Sequence, residues 1–118
     1  MSDLARDPSP LRGRTVVITG VSRRAGIGHA VACRAAAYGA NVVCHHHAEH
    51  DRRQPWGSDD TGAVMDSVRG HLTAGARLLD LGGDLVEPGE PERVIAAAQE
   101  TFGRVDALVC NQALSGSD

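Results

Sequence analysis

Apolar positions along the chain come in short β-branched bursts and in longer stretches with helical spacing, and the two kinds alternate. The run RTVVIT, Arg14 to Thr19, is bounded by Gly13 and Gly20 and predicts a short buried strand. From Ile27 to Ala37 the sequence is rich in Ala, the strongest helix former, and Gly39 follows as a stop. ANVVCHH, Ala40 to His46, predicts a second strand. Residues 47 to 60, HAEHDRRQPWGSDD, are charged and broken by Pro55 and Gly57, which predicts a long surface loop. Helix is expected again from Thr61, because Val64, Val68 and Leu72 recur every four residues with Met65 beside them; Gly75 closes the segment. ARLLDL predicts a third strand, PERVIAAAQETF a helix with Pro91 in its first turn, and VDALVC a fourth strand.

The order β-α-β-α-β-α-β implies a parallel sheet, since each helix must cross over before the next strand can pair in parallel. Right-handed crossovers place the helices against its faces. Aromatic residues make up only 3% of the chain, so the layers are expected to pack through Ala, Val, Leu and Gly. With 118 residues, 42% of them hydrophobic, the chain fits one domain or part of one. Residues 1 to 13, with Pro8, Pro10 and Gly13, read as a polar lead-in, and residues 14 to 118 as the folded unit.

Charge and special residues narrow the function classes. A net charge of -3 argues against a nucleic-acid partner, which requires a positive stripe to displace counterions. No apolar run approaches the ~18 residues of a membrane span, and MSDLARDPSP lacks the apolar core of a signal peptide. The expectation is a cytoplasmic protein with small ligands. Cys33, Cys44 and Cys110 are odd in number and have apolar neighbours, which predicts buried free thiols and no disulfide framework. All twelve basic residues are Arg, and Tyr38 is the single Tyr.

The stretch TGVSRRAGIG, Thr19 to Gly28, runs from the first strand into the first helix. The first N–H groups of a helix are unpaired and sit at the positive end of its dipole, so a turn of this kind can hold phosphate. Gly20, Gly26 and Gly28 suit a tight turn, the close approach of a diphosphate and close helix-to-strand packing.

These residues resemble the short-chain dehydrogenase/reductase family, whose first turn reads Thr-Gly, three residues, Gly-x-Gly. Here five residues, Val21 to Ala25, separate Thr19-Gly20 from Gly26-Ile27-Gly28, and some members with this longer turn resemble 3-oxoacyl-carrier-protein reductases. Two further stretches are similar to the family. Asp84-Leu85 follows the third strand, where the resemblance implies that Asp84 accepts from the adenine amino group and Leu85 supports the ring. LVCNQA, Leu108 to Ala113, resembles the Asn-Asn-Ala-Gly segment, with Asn111 at its second Asn and Cys110, Gln112 and Ala113 replacing the rest. The resemblance implies that Asn111 contacts the cofactor ribose and fixes the strand end. It also implies a Rossmann-like sheet with strand order 3-2-1-4 and helices on both faces, incomplete at its carboxyl-terminal side. The expected cofactor-binding set is Thr19, Gly20, Ser22, Arg23, Arg24, Gly26, Ile27, Gly28, His45, Asp84, Leu85, Asn111 and Ala113.

Between the two nicotinamide cofactors the residues favour NADP over NAD. NAD-preferring sites place an acid after the second strand, on the ribose 2′-hydroxyl. Here that strand ends in Cys44, His45 and His46, with no acid before Glu49, while Arg23 and Arg24 in the turn can pair with a 2′-phosphate. The missing acid also argues against a methyltransferase of similar topology. HHHAEH is expected to be a solvated loop rather than a metal site, because adjacent strand residues point to opposite faces. His29 and His71 are expected on helix surfaces, Asp59 and Asp60 at a helix N-terminus, Asp106 at a strand start, and Trp56 in an exposed loop or lid.

The family's reaction passes hydride between the nicotinamide and a carbonyl or alcohol carbon of a small molecule, with a Tyr, a Lys four residues later and a Ser, all after the fourth strand. A chain without Lys, with Tyr38 in its first helix and with Asp118 soon after Ala113, cannot supply that pair. The expectation is therefore a truncated oxidoreductase that binds NADP(H) but lacks activity alone; the alternative is a non-catalytic nucleotide-binding or partner module. The reading frame beyond Asp118 distinguishes them. Strand 4 would form an exposed apolar edge, through which self-association is expected.

Overall fold

Strands and helices alternate in the chain as the apolar pattern requires. A computed structural model describes residues 7–21, 25–47 and 61–111. The elements are β1 (Thr15–Thr19), α1 (Ile27–Ala37), β2 (Asn41–His46), α2 (Thr61–Arg69), β3 (Leu78–Gly82), α3 (Glu90–Phe102) and β4 (Ala107–Val109). All strands pair in parallel in the order β3-β2-β1-β4. The chain therefore reverses direction across the sheet between β1 and β4, the place where open α/β sheets form a ligand crevice.

Strand residues alternate between two cores because side chains alternate faces along a strand. Val16, Ile18, Val42 and Cys44 meet α1 and α2 through Ala32, Ala36, Val64, Met65 and Val68. Val17 and Val43 face the other way, against Val94 and Ala98 of α3. All five residues of β1 are buried, which explains why its sequence reads as a continuous β-branched run. The contacts on α1 are mostly Ala, so helix and sheet approach closely with almost no aromatic filling.

The edges of the elements differ from the sequence pattern for local reasons. Helix α2 ends at Arg69, and a turn at Gly70, His71 and Leu72 follows, so the Val64–Val68–Leu72 stripe outlasts the helix. Strand β4 begins only at Ala107. The carboxylate of Asp106 accepts from the Thr15 N–H at 2.8 Å and from Arg104 at 2.7 and 2.8 Å, which fixes the entry to β4 against the start of β1.

Three local expectations are corrected. Cys44 is buried, but Cys33 is half-buried and Cys110 is exposed, because β4 is an edge strand that ends at Val109. His29 does not lie free on a helix surface: its ring nitrogen is 2.9 Å from Ser67 Oγ and 3.3 Å from Cys33 Sγ, between α1 and α2. His71 is exposed, but in the turn after α2 rather than on the helix. Trp56, Asp59 and Asp60 lie outside the described residues.

On the outer side of β1 the sheet stops at β4, whose Leu108 is 51% exposed. Beside it an open apolar groove of about 540 Å³ runs between α1 and β4, lined by residues that include Val16, Ile27, Val31, Tyr38, Ala107 and Val109. None of the described helices is long and apolar enough to cross a membrane.

The central position of β1 makes its side chains the most sensitive in the fold. Ile18→Ala, at a fully buried position in the α1/α2 core, is expected to cost about 3 kcal/mol. Urea unfolding would register this as a lower midpoint with an unchanged slope.

Candidate functional site

The carboxyl ends of β1, β2 and β4 are tied together by a small set of polar contacts around Thr19 and Gly20. Thr19 Oγ1 accepts from the Asn111 N–H at 3.1 Å and lies 3.5 Å from the Val109 carbonyl. Asn111 Nδ2 donates to the Gly20 carbonyl at 3.4 Å. Gly20 takes a left-handed backbone, with φ of 78°, which glycine adopts without a side-chain clash. Val21 is fully buried, and its N–H donates to the His45 carbonyl at 3.0 Å. The turn is thus anchored to β4 on one side and to β2 on the other.

Helix α1 starts against this anchored turn. Gly26 is its N-cap and supplies no side-chain hydrogen bond, and the first turn carries no acidic residue. Its leading N–H groups and the positive end of its dipole are therefore not compensated by the helix's own side chains. A side-chain carbon at Gly28 would stand 2.5 Å from the Gly20 carbonyl oxygen and 2.9 Å from Asn111 Nδ2. No other residue fits there. The glycine lets the helix start come close enough to the strand end for both to face one ligand group, while Ile27 beside it is 72% exposed.

The other half of the edge is built from β2, β3 and the start of α3. His45 follows Val43 by two residues and so lies on the α3 face, fully buried. Its Nε2 is 3.0 Å from Glu90 Oε2. Arg93 donates to the same carboxylate at 2.7 and 2.8 Å and to the Gly82 carbonyl at 2.9 Å. His46 reaches Asp80 at 2.6 Å, and His47 lies 3.7 Å from Asp84. Asp84 is held by its own turn: Oδ1 accepts from the Val86 N–H at 3.0 Å, and its carbonyl accepts from Glu87. Leu85 packs against the α3-side core.

The electrostatics of this corner follow from burial and pairing. Burial pushes the His45 imidazole below its ordinary pKa, against a weaker opposing pull from Glu90. The neutral ring donates from Nε2 to the carboxylate; its Nδ1 is buried with no hydrogen-bond partner among the described residues. Arg93, and secondarily His45, hold the Glu90 carboxyl down at about 2. Cys44, in the opposite core, is pushed up to about 12 by burial and is therefore a thiol at neutral pH.

Of the residues expected at the cofactor edge, the structure brings Thr19, Gly20, Gly28 and Asn111 into one cluster, with Gly26 and Ile27 at the start of the helix that carries Gly28. Asp84 and Leu85 follow β3 at the same edge of the sheet. Ser22, Arg23, Arg24 and Ala113 lie outside the described residues. His45 reaches this edge as a buried support: its carbonyl holds Val21 and its ring holds Glu90. Glu90 and Arg93 were not anticipated. Their sequence signal is an acid beside Pro91 in a helical first turn with an Arg three residues later, a pattern that also describes many solvated helix starts. Among the described residues no group of three or more His, Cys, Asp or Glu could hold a metal ion.

Comparison with known proteins places this edge in context. The family model described as short chain dehydrogenase matches residues 14–118. An L-rhamnose 1-dehydrogenase (NAD(P)(+)) from Azotobacter vinelandii is 38% identical over 99 residues, covering 83% of this chain and 34% of that protein. The structure of a 3-oxoacyl (acyl-carrier-protein) reductase from Agrobacterium tumefaciens with NADP bound is similar with a TM-score of 0.70 and 32% identity, over 97% of this chain and 39% of that one. A short chain dehydrogenase from Mycobacterium paratuberculosis bound to NAD gives a TM-score of 0.70 at 26% identity, over 89% of this chain and 38% of that one. The chain spans about a third of the length of the curated relatives it matches.

The His45–Glu90 pair contributes to the acid limb of the stability profile. His45 has a lowered pKa in the folded state, so as pH falls below its ordinary value of 6.5 the unfolded chain takes up the proton first and stability declines. The decline steepens below about 4.5, where unfolded Glu90 also protonates. Unfolding followed between pH 7 and 5 should show this slope in the natural chain and a flatter one in His45→Gln.

Proposed function

The chain belongs to the short-chain dehydrogenases, and on that premise we propose that residues 14–118 form the cofactor-binding part of an oxidoreductase that passes hydride between NADP(H) and a carbonyl or alcohol carbon of a small molecule. The observation that carries the reading is the junction at Gly28. A helix start without a side-chain cap is pressed against the end of the central strand, and the space is closed to anything but glycine. Such a junction is suited to a diphosphate, whose charge is compensated by backbone N–H groups. The nicotinamide, when bound, supplies or accepts the hydride.

The chain's own residues then take distinct parts. Gly20, Gly26 and Gly28, with Thr19, Ser22 and Ile27, form the diphosphate turn, and Asn111 holds that turn from β4 and faces the ribose. Asp84 accepts from the adenine amino group, Leu85 supports the ring, and Ala113 continues the Asn111 segment. Arg23 and Arg24 pair with a 2′-phosphate, and the lack of an acid on β2 supports NADP over NAD. Proton transfer is a separate matter. Tyr38, the single Tyr, follows α1 and takes a hydrogen bond from Arg34 at 3.2 Å, and the chain has no Lys. We assign these 118 residues cofactor binding without turnover.

One titration tests the cofactor reading. NADPH and NADH added to the chain should each change Trp56 fluorescence, with NADPH binding more tightly, and Gly28→Ala should abolish both responses. In the Arg23→Ala, Arg24→Ala double variant, NADPH is expected to weaken about tenfold while NADH is unchanged. Absence of binding by the natural chain would refute the cofactor reading; equal loss of both cofactors in the double variant would refute the NADP preference.

The edge position of β4 among the described strands and the apolar groove beside it support a second property, association of copies through that edge. Sedimentation should find dimers or larger species that Leu108→Lys disperses. A monodisperse, cooperatively melting monomer would count against it.

A further inference from the structure

Glu90 has no role in the contacts assigned above, yet three parts of the site meet at its carboxylate. From β2, the fully buried His45 bonds it at 3.0 Å. From one turn further along α3, Arg93 grips both of its oxygens. From the segment after β3, Gly83 leaves open the space its side chain would take, and the Glu90 carboxylate fills it: a carbon built at Gly83 would overlap Glu90 Oε2. The same Arg93 donates to the Gly82 carbonyl at 2.9 Å, and the Gly83 N–H donates to the His46 carbonyl at 3.1 Å. Gly82 and Gly83 are therefore held from both sides, and Asp84 is the next residue.

We infer that Glu90 is a positioning residue for adenosine recognition: its carboxylate, held by His45 and Arg93, fixes the path of Gly82 and Gly83 and so sets where Asp84 and Leu85 present themselves to the adenine. The inference rests on the reading of Asp84 and Leu85 as the adenosine contacts. Two glycines in succession have few intrinsic constraints on their backbone, so the order of this segment must come from outside it. Glu90 provides that order. Its side chain is only 11% exposed, so the carboxylate is an internal strut between strand and loop rather than a solvated surface pair.

The contacts of Glu90 are with β2, α3 and the segment after β3, while the diphosphate turn lies on the other side of β2, which gives the test its discrimination. AMP probes the adenosine side, and inorganic pyrophosphate probes the turn. Calorimetric titration of the natural chain, Glu90→Ala and Glu90→Gln with both probes, alongside thermal unfolding, separates the possibilities. Glu90→Ala should weaken AMP about tenfold and leave pyrophosphate within about twofold. Glu90→Gln keeps one oxygen for Arg93 or His45 and should recover part of the AMP affinity; if Glu90→Ala does not fold, an AMP-selective loss in Glu90→Gln decides the question alone. Unchanged AMP affinity in the variants, or parallel loss of both probes with melting temperature, would overturn the inference. Failure of the natural chain to bind either probe would refute the cofactor reading itself.

Discussion

The contact between the start of α1 and the end of β1 is the constraint from which the site takes its shape. Helix and strand can approach this closely only because Gly28 has no side chain and Gly20 can take a left-handed backbone. Asn111 then spans the gap with its side-chain amide on the Gly20 carbonyl and its backbone N–H on Thr19. Each of these groups is ordinary alone. Together they leave the helix dipole open toward the sheet edge, with no acid of its own first turn to neutralise it.

Face alternation in the strands decides how the rest of the edge is supplied. His45 and His46 are adjacent in sequence but serve different surroundings: one is sealed under α3 against Glu90, and the other meets Asp80 on β3. The same parity sends Cys44 into the α1/α2 core, where it is an inert thiol. His45 and His46, expected in a solvated loop, thus lie in β2, and the pleat divides Cys44-His45-His46 into a core residue, a buried support and a partly exposed hydrogen-bonded pair.

Much of this was legible in the sequence. Helix α1 has the bounds that its Ala-rich run and Gly39 imply, and the strand order follows from the alternation of elements together with the family resemblance. The glycine turn, Asp84-Leu85 and Asn111 were marked by motif and by their place after strands. The Glu90–His45–Arg93 cluster was not, because 45 residues separate His45 from Glu90 and only the sheet register brings them together. Cys110 is exposed against its sequence pattern for a related reason: apolar neighbours predict burial only if another layer covers them, and β4 is an edge strand. The entry to β4 is likewise fixed by Asp106, two of whose partners, Thr15 and Arg14, lie at the far end of the sequence.

That separation along the chain has a consequence for how the site comes into being. Asn111 and Gly20 are 91 positions apart, and Asp106 and Thr15 are equally distant. The glycine turn and the helix behind it can form early and locally, but the clasp that fixes them closes only when β4 docks. Competence to hold a ligand therefore arrives at the end of folding rather than with the motif that advertises it. A ligand that binds the closed clasp would draw the whole sheet toward its folded state, and so would act on the edge strand as well as on the glycine turn.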